Sequence, residues 1–181
     1  MATTVLRRGE RVHIRHPRPG DRDDFVEAVV RSRRLHHPWV APPNTSAAFD
    51  DYVRRSRRPS RAAFLICRNE AEAITGVANL GEIIHGPFQS AFLGYWIGAP
   101  YARQGYMTEA LHHAFTTLGL HRVEANIIPI NRASIALVKR AGFRREGYSV
   151  GYLKIAGRWS DHQRWALLAE DWRNFQRGKG A

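Results

Sequence analysis

The residues around Gly105 have the pattern most informative about chemistry, because a short loop there joins a predicted strand directly to a predicted helix. A helix start leaves backbone N–H groups unpaired, and the helix dipole adds positive potential at the same point. In this chain those N–H groups belong to residues 103–108. The pattern therefore predicts a loop that binds an anion such as a phosphate, with an ordinary strand-to-helix turn as the structural alternative.

Neither a cysteine nucleophile nor a metal site is indicated. The single cysteine, Cys67, lies in the apolar run 62–67, which favours a buried strand residue over a nucleophile. The nine histidines include the pairs His36–His37 and His112–His113, but adjacent side chains on a helix diverge, and no Cys or carboxylate partner has ligand spacing. We therefore expect no metal site.

Hydrophobic periodicity and turn residues predict the elements that position the loop. Asp21 is a candidate N-cap for a helix that runs to about Arg33. Three prolines indicate a loop over 36–44. Phe49 and Val53, four residues apart, indicate a thin amphipathic helix over 46–57. Strands are expected at 12–15, 62–69, 72–84 and 90–98.

The second half of the chain alternates helices and strands. Met107, Leu111, Ala114, Phe115 and Leu118 share one face of a helix that ends at Gly119, and a second helix is capped by Asn131 and ended by Gly142. Further strands are expected at 123–128, 144–155 and 159–168, and 170–181 is expected to fray. This order predicts one mixed-sheet α/β (α+β) domain over 1–172 and a disordered basic tail over 173–181.

Composition narrows the class of protein. With 181 residues and 44% hydrophobic content, the chain is long enough for one core. It has no apolar run near the roughly 20 residues of a membrane span and no secretory signal, so we expect a cytoplasmic protein that does not bind membranes. The formal net charge of +12 favours anionic partners, but no aromatic RNA-reading platform is visible.

Five segments resemble the GNAT superfamily of N-acetyltransferases, in that family's order: 93–98 (LGYWIG), 104–110 (QGYMTEA), 120–126 (LHRVEAN), 131–134 (NRAS) and 139–143 (KRAGF). The resemblance implies a GNAT fold, in which helices flank both faces of a central, mostly antiparallel sheet. It also implies acetyl-CoA as the acetyl donor.

The family's pyrophosphate loop, Q/R-x-x-G-x-G/A, falls on residues 102–107. Two positions depart from the pattern: Ala102 lacks a long polar side chain, and Met107 is acceptable only if its side chain points away from the phosphates. The coenzyme A contacts implied by the resemblance are Trp96, Ile97, Arg103, Gln104, Gly105, Tyr106, Met107, Thr108 and Asn131.

Acetyl transfer to an amine needs a neutral amine, a donor to the oxyanion and a proton for the thiolate. By the family pattern, Asn131 contacts the pantetheine arm and Ser134 protonates the thiolate; as structural alternatives, Asn131 is only a helix cap and Ser134 only a first-turn residue. For the base, Glu82 is preferred to His85 because a carboxylate also attracts a cationic amine, and His162 beside Asp161 is a third candidate. Each could instead be a structural or solvated residue.

Segments 86–95 and 157–162 resemble the branch that acetylates the N-terminal alanine of ribosomal proteins. This resemblance implies that an N-terminal α-amine attacks the thioester directly in a ternary complex, in a shallow cleft between the 36–44 loop, the 83–90 loop and the final hairpin. The enzyme would act as a monomer or homodimer, and its charge would attract it to the ribosome. The alternatives are an acetyltransferase of a small-molecule amine such as an aminoglycoside, and a non-catalytic module that binds coenzyme A or the ribosome.

Overall fold

A computed structural model of the chain describes residues 4–155 and 157–177, without the side chains of 112–116 and 175–177. The strands are β1 (Arg7–Arg8), β2 (Val12–Arg15), β3 (Arg61–Arg68), β4 (Ile74–Ile84), β5 (Ser90–Ile97), β6 (Arg122–Ile127), β7 (Arg144–Ile155) and β8 (Arg158–Leu168). The helices are α1 (Arg22–Arg31), α2 (Arg33–His36), α3 (Ser46–Ser56), α4 (Tyr106–Thr117), α5 (Arg132–Arg140) and α6 (Ala169–Arg177).

The eight strands form one sheet in the order β1-β2-β3-β4-β5-β6-β8-β7. Every neighbouring pair is antiparallel except β5 and β6, which are parallel. Their pairing covers only Ser90–Phe92 against Arg122–Glu124, although β5 continues to Ile97 and β6 to Ile127. Beyond Phe92 the two strands therefore separate, and the free edge of β5 faces the gap between them.

Helices cover both faces of the sheet, because alternate strand residues point to opposite sides. On one face, Leu93 of β5 packs in the same core cluster as Met107 of α4 and Val138 of α5. On the other face, Trp96 joins Phe25 of α1 and Phe49 of α3. The expected mixed architecture, a mostly antiparallel sheet with helices on both faces, is confirmed.

The predicted strands and helices are present to within a few residues, but three elements were not predicted. These are β1, the short helix α2 and α6. The expectation that 170–181 frays is wrong as far as Arg177, because Trp172 is 3% exposed and packs in the core, which anchors α6. Residues 173–177 thus continue a helix, whereas 178–181 of the predicted tail lie outside the described residues.

Asp21 precedes α1 as predicted, but its side chain does not cap the helix. Its two carboxylate oxygens instead accept hydrogen bonds from the Arg15 guanidinium at 2.7 and 2.9 Å, and one of them also accepts from the backbone N–H of Arg18 at 2.8 Å. Arg15 and Asp21 are both buried, so this bidentate pair compensates two charges that would be costly to bury alone.

Within the described part of the chain, no helix is both long and apolar enough to cross a bilayer. The described residues also contain no cluster of three or more His, Cys, Asp or Glu side chains that could hold a metal ion. The side chains of His112 and His113 lie outside the described residues, so the structure does not address that pair.

Candidate active site

The loop before α4 has the backbone geometry of an anion site. Gly105 is the N-cap of the helix and has φ +82°, a left-handed conformation that glycine adopts without steric cost. Arg103 also has a positive φ, +64°. The first N–H groups of α4, those of residues 106–108, have no acceptor within the helix and lie at the positive end of its dipole. The loop can therefore bind phosphate through its backbone.

Arg11 holds this loop in place from a distant part of the sequence. Its Nη1 donates to the carbonyl of Gln104 at 2.7 Å, and its Nε donates to Glu109 of α4 at 3.2 Å. The guanidinium lies 4.9 Å from the ring centroid of Tyr106, a distance that allows a cation–π contact. The sequence does not indicate this role for Arg11, because a contact across more than 90 residues leaves no local pattern.

A cavity of about 620 Å³ extends from this loop along β5 to the start of α5. All but one of the predicted coenzyme A contacts line it, namely Trp96, Ile97, Arg103, Gly105, Tyr106, Met107, Thr108 and Asn131. Gln104 does not, because its side chain folds back and donates to the carbonyl of Pro100 at 2.8 Å. Met107 also lines the cavity, but it is only 3% exposed and packs in the core.

Three side chains meet where the cavity reaches α5. Asn131 caps α5 as predicted, since its Oδ1 accepts a hydrogen bond from the Ser134 backbone N–H at 3.1 Å. The hydroxyl groups of Tyr95 and Ser134 are hydrogen-bonded at 2.5 Å. Burial raises the pKa of Tyr95 to about 12, although the bond to Ser134 opposes this shift, so the phenol keeps its proton near neutral pH. Tyr95 was not predicted as a site residue, although the alternation along β5 places it on the same face as Leu93 and Ile97.

His36 and Trp96 form the wall between this cavity and a second one. The His36 Nε2 lies 3.0 Å from the Ile97 carbonyl and must donate to it, because a carbonyl only accepts. Burial lowers the pKa of His36, which favours the neutral imidazole, and the ring centroid lies 5.1 Å from that of Trp96. His36 thereby links the loop after α2 to β5.

The second cavity, of about 680 Å³, lies between α1, α3 and the 37–44 loop. On its floor the Tyr52 hydroxyl donates to Asn79 of β4 at 2.8 Å, and Arg33 and Arg55 lie in its lining. The lining contains one carboxylate, Asp51, which is paired with Arg54 and Arg55. The cavity is therefore aromatic and basic rather than acidic.

Glu82 and His85, the first two candidate bases, line neither cavity. The Glu82 side chain is 63% exposed and pairs with Arg61 at 3.3 Å. The turn that holds His85 precedes Ser90, whereas His36 contacts Ile97 at the far end of the same strand, about 23 Å away at 3.3 Å per residue. The structure thus places the 83–90 and 36–44 loops at opposite ends of β5, so the expectation that they border one cleft is wrong.

His162, the third candidate base, is 2% exposed, and its Nδ1 lies 2.9 Å from the Ser160 carbonyl. Asp161 does not orient it through a hydrogen bond. The Asp161 carboxylate instead accepts from the Tyr148 hydroxyl at 2.6 Å and from the Gly151 backbone N–H at 2.8 Å, which lowers its pKa. These contacts give Asp161 a structural role within the final hairpin.

Comparison with known proteins supports an enzymatic function for this geometry. A family model described as "Acetyltransferase (GNAT) domain" matches residues 11–144. The Bacillus subtilis protein named Probable N-acetyltransferase YjcK is 36% identical over 125 residues, which cover 67% of this chain and 69% of that protein. The Escherichia coli ribosomal protein uS5-alanine N-acetyltransferase is 41% identical over 107 residues, or 57% of this chain and 55% of that enzyme, so the match spans about half of its length.

Two solved structures share the fold. Mycobacterium smegmatis RimJ in complex with CoA-disulfide aligns with a TM-score of 0.80 at 28% identity, over 92% of this chain and 89% of that one. The ribosomal-protein-S5-alanine acetyltransferase from Vibrio fischeri aligns with a TM-score of 0.79 over 92% of this chain and 97% of that one. Its identity of 24% supports the fold alone.

Proposed function

Because this chain belongs to the GNAT family and is an acetyl-CoA-dependent N-acetyltransferase, we propose that its acceptor is the N-terminal α-amine of a protein, and specifically of a ribosomal protein. The observation that carries the acceptor assignment is the 41% identity to the Escherichia coli enzyme that is named for alanine acetylation of a ribosomal protein. A ribosomal acceptor would place the reaction in the cytoplasm.

In this proposal the cavity along β5 binds acetyl-CoA. The N–H groups of residues 106–108 receive the pyrophosphate, and Arg103, Arg132 and Arg140 add positive charge around the same cavity. The pantetheine arm, which carries amides, follows the edge of β5 that no longer pairs with β6. Asn131 can donate to it through its amide NH₂, because its Oδ1 already accepts from the helix.

The reaction then proceeds without a covalent enzyme intermediate. The neutral amine attacks the thioester carbon, a C–N bond forms and the C–S bond breaks, while a backbone N–H on the free edge of β5 stabilises the oxyanion. Ser134, at the same end of the cavity, gives its proton to the departing thiolate. The amine loses its own proton to water, because Glu82 and His85 both lie outside the two cavities.

The second cavity supplies the acceptor side of the site. It shares the His36–Trp96 wall with the first cavity, so an amine that enters along it approaches β5 from the face opposite α4 and α5. Its single carboxylate is already paired, and Arg33 lies in the lining. A polycationic acceptor such as an aminoglycoside would meet like charge there, which disfavours the small-molecule alternative.

We expect the purified enzyme to acetylate peptides with the N-terminal sequences of ribosomal proteins and to discriminate strongly against lysine peptides and aminoglycosides. An acetyl-CoA assay against that panel measures kcat/KM directly. Mass spectrometry of ribosomal proteins from cells with and without the enzyme is the matched test in vivo. Efficient acetylation of an aminoglycoside, together with unchanged N-terminal acetylation in the deletion strain, would show that the acceptor assignment is wrong.

A cluster of arginines at the end of α3 lies beside the acceptor cavity, whose lining includes Arg55. Five arginines occupy the eight positions from 54 to 61. Three of them pair with carboxylates, Arg54 and Arg55 with Asp51 and Arg61 with Glu82. No ion pair involves exposed Arg57 or Arg58 within the residues that the structure describes. RNA phosphates beside an acceptor terminus would meet these two guanidinium groups first.

The double variant Arg57→Gln/Arg58→Gln is therefore expected to weaken binding to ribosomes and leave kcat/KM for a short peptide unchanged. Losing two phosphate contacts should reduce the slope of log affinity against log salt by about two. Sedimentation binding at several salt concentrations measures this slope. Arg7→Gln/Arg8→Gln on β1, which contacts α4 on the other side of the sheet, is the matched control. Equal losses in both double variants would contradict a localised RNA-binding surface.

A further inference from the structure

We propose that Tyr95 is a positioning residue for acetyl transfer, which directs the Ser134 hydroxyl proton toward the departing thiolate. This inference rests on the role proposed above for Ser134 as the proton donor. It identifies Tyr95 as the group that orients the Ser134 hydroxyl, because a serine hydroxyl otherwise rotates freely among its possible acceptors.

Among the residues that the structure describes, the Ser134 hydroxyl has one hydrogen-bond partner, the hydroxyl of Tyr95. Its backbone N–H is bound by Asn131, which fixes the first turn of α5. The Tyr95 hydroxyl lies 2.5 Å from Ser134 Oγ and 3.4 Å from the Ser134 carbonyl oxygen. Tyr95 and Ser134 both line the cavity assigned to acetyl-CoA, so the pair faces the substrate.

The direction of the hydrogen bond decides whether Ser134 can act. If Ser134 donates to Tyr95, its proton points away from the cavity, whereas if Tyr95 donates, the serine proton is free to reach sulfur. Burial favours the neutral phenol, so Tyr95 keeps a proton to donate near neutral pH, and its second contact, with the Ser134 carbonyl, also needs it as the donor. The shorter contact, to Oγ, is the better of its two acceptors.

Ser134 and water together supply and accept every proton that moves in this step. As the C–S bond breaks, the proton moves from Ser134 Oγ to the thiolate sulfur, and Oγ regains a proton from an adjacent water molecule in the same step, so that no serine alkoxide persists. The proton lost by the amine goes to solvent. Tyr95 stabilises the transient charge on Oγ by its hydrogen bond and remains a phenol throughout.

The test is a double-mutant cycle of Tyr95→Phe and Ser134→Ala, with kcat, the KM for acetyl-CoA and the Kd of CoA measured for each variant. Tyr95→Phe is expected to lower kcat about tenfold, the scale of one hydrogen bond, and to leave the Kd of CoA within about twofold of the parent. In the Ser134→Ala background the same change should alter kcat less than about twofold, because its partner is gone.

The outcomes separate this inference from the role of Ser134. An unchanged kcat in Tyr95→Phe, or an equal loss in both backgrounds, would overturn the positioning role while Ser134 stays the acid. An unchanged kcat in Ser134→Ala would overturn both. Thermal unfolding of each variant is followed in parallel. If Tyr95→Phe unfolds at the assay temperature, 3-fluorotyrosine incorporated at position 95 keeps the donor and should retain kcat, and a loss of kcat in that protein would overturn the inference.

Discussion

Replacing Gly105 with valine is expected to weaken CoA binding about 100-fold, the free energy of one or two hydrogen bonds to a charged group. Gly105 has φ +82°, which a β-branched residue rarely adopts, and an added Cβ would lie 3.2 Å from Arg11 Nη2. Either the loop relaxes to a negative φ or Arg11 moves. In both cases the N–H groups at the start of α4 lose their common direction. Isothermal titration calorimetry with CoA measures the change.

Gly119→Val is the matched control for that variant. Gly119 follows the other end of α4, has φ +60°, and has no atom within 4 Å of an added Cβ. The Gly119→Val substitution therefore imposes a similar backbone strain of about 1–3 kcal/mol at the same helix, far from the phosphate loop. We expect Gly119→Val to lower the melting temperature and leave CoA affinity intact. Unchanged affinity in Gly105→Val, or the same affinity loss in both variants, would show that the loop is not the phosphate site.

Ser134→Ala is expected to lower kcat by about 10²–10⁴-fold and leave CoA affinity nearly unchanged. A general acid acts only as the C–S bond breaks, so its loss raises the barrier without removing a ground-state contact. The helix cap is not disturbed, because Asn131 bonds the backbone N–H of Ser134 and not its hydroxyl. Steady-state kinetics with an N-terminal peptide gives kcat, and calorimetry gives the affinity.

Ser134→Thr is the conservative partner of that variant. It retains a hydroxyl at the same position and is expected to recover a substantial part of kcat, although the extra methyl group restricts its rotamer. If alanine and threonine lower kcat equally, the effect comes from packing beside Tyr95 and not from the lost proton donor. If neither lowers kcat, Ser134 is only a helix residue.

The parts of the site that the sequence predicts are those whose geometry is local. A glycine at a strand-to-helix turn and an asparagine three residues before a serine determine their own backbone contacts, so Gly105 and Asn131 take the expected positions. The strands were predicted for the same reason, because alternation and turn residues act over a few positions.

The parts that escaped prediction depend on tertiary contacts. Arg11 reaches the loop from the position just before β2, and His36 reaches the carbonyl of Ile97 from a segment whose prolines indicated only a loop. Residues 170–177 appeared too polar to be ordered, yet the buried Trp172 and the ion pairs of Glu170 with His121 and of Asp171 with Arg144 anchor α6. Glu82 and His85 were expected near the acceptor from the fold of the family. They lie instead at or beside the turn between the antiparallel strands β4 and β5, which is the end of β5 opposite to Ile97.

Because β5 and β6 pair over only three residues, a coenzyme A molecule bound between them would contribute to the tertiary structure. Only Ser90–Phe92 of β5 pairs with β6, so this is the seam at which strands β1–β5 join strands β6–β8. CoA bound there would bridge the two halves where the protein's own ladder stops. Its binding free energy would then add to the stability of the fold by mass action, about 2.7 kcal/mol at 100 times Kd. The cellular supply of acetyl-CoA would thus set the lifetime of the enzyme as well as its rate.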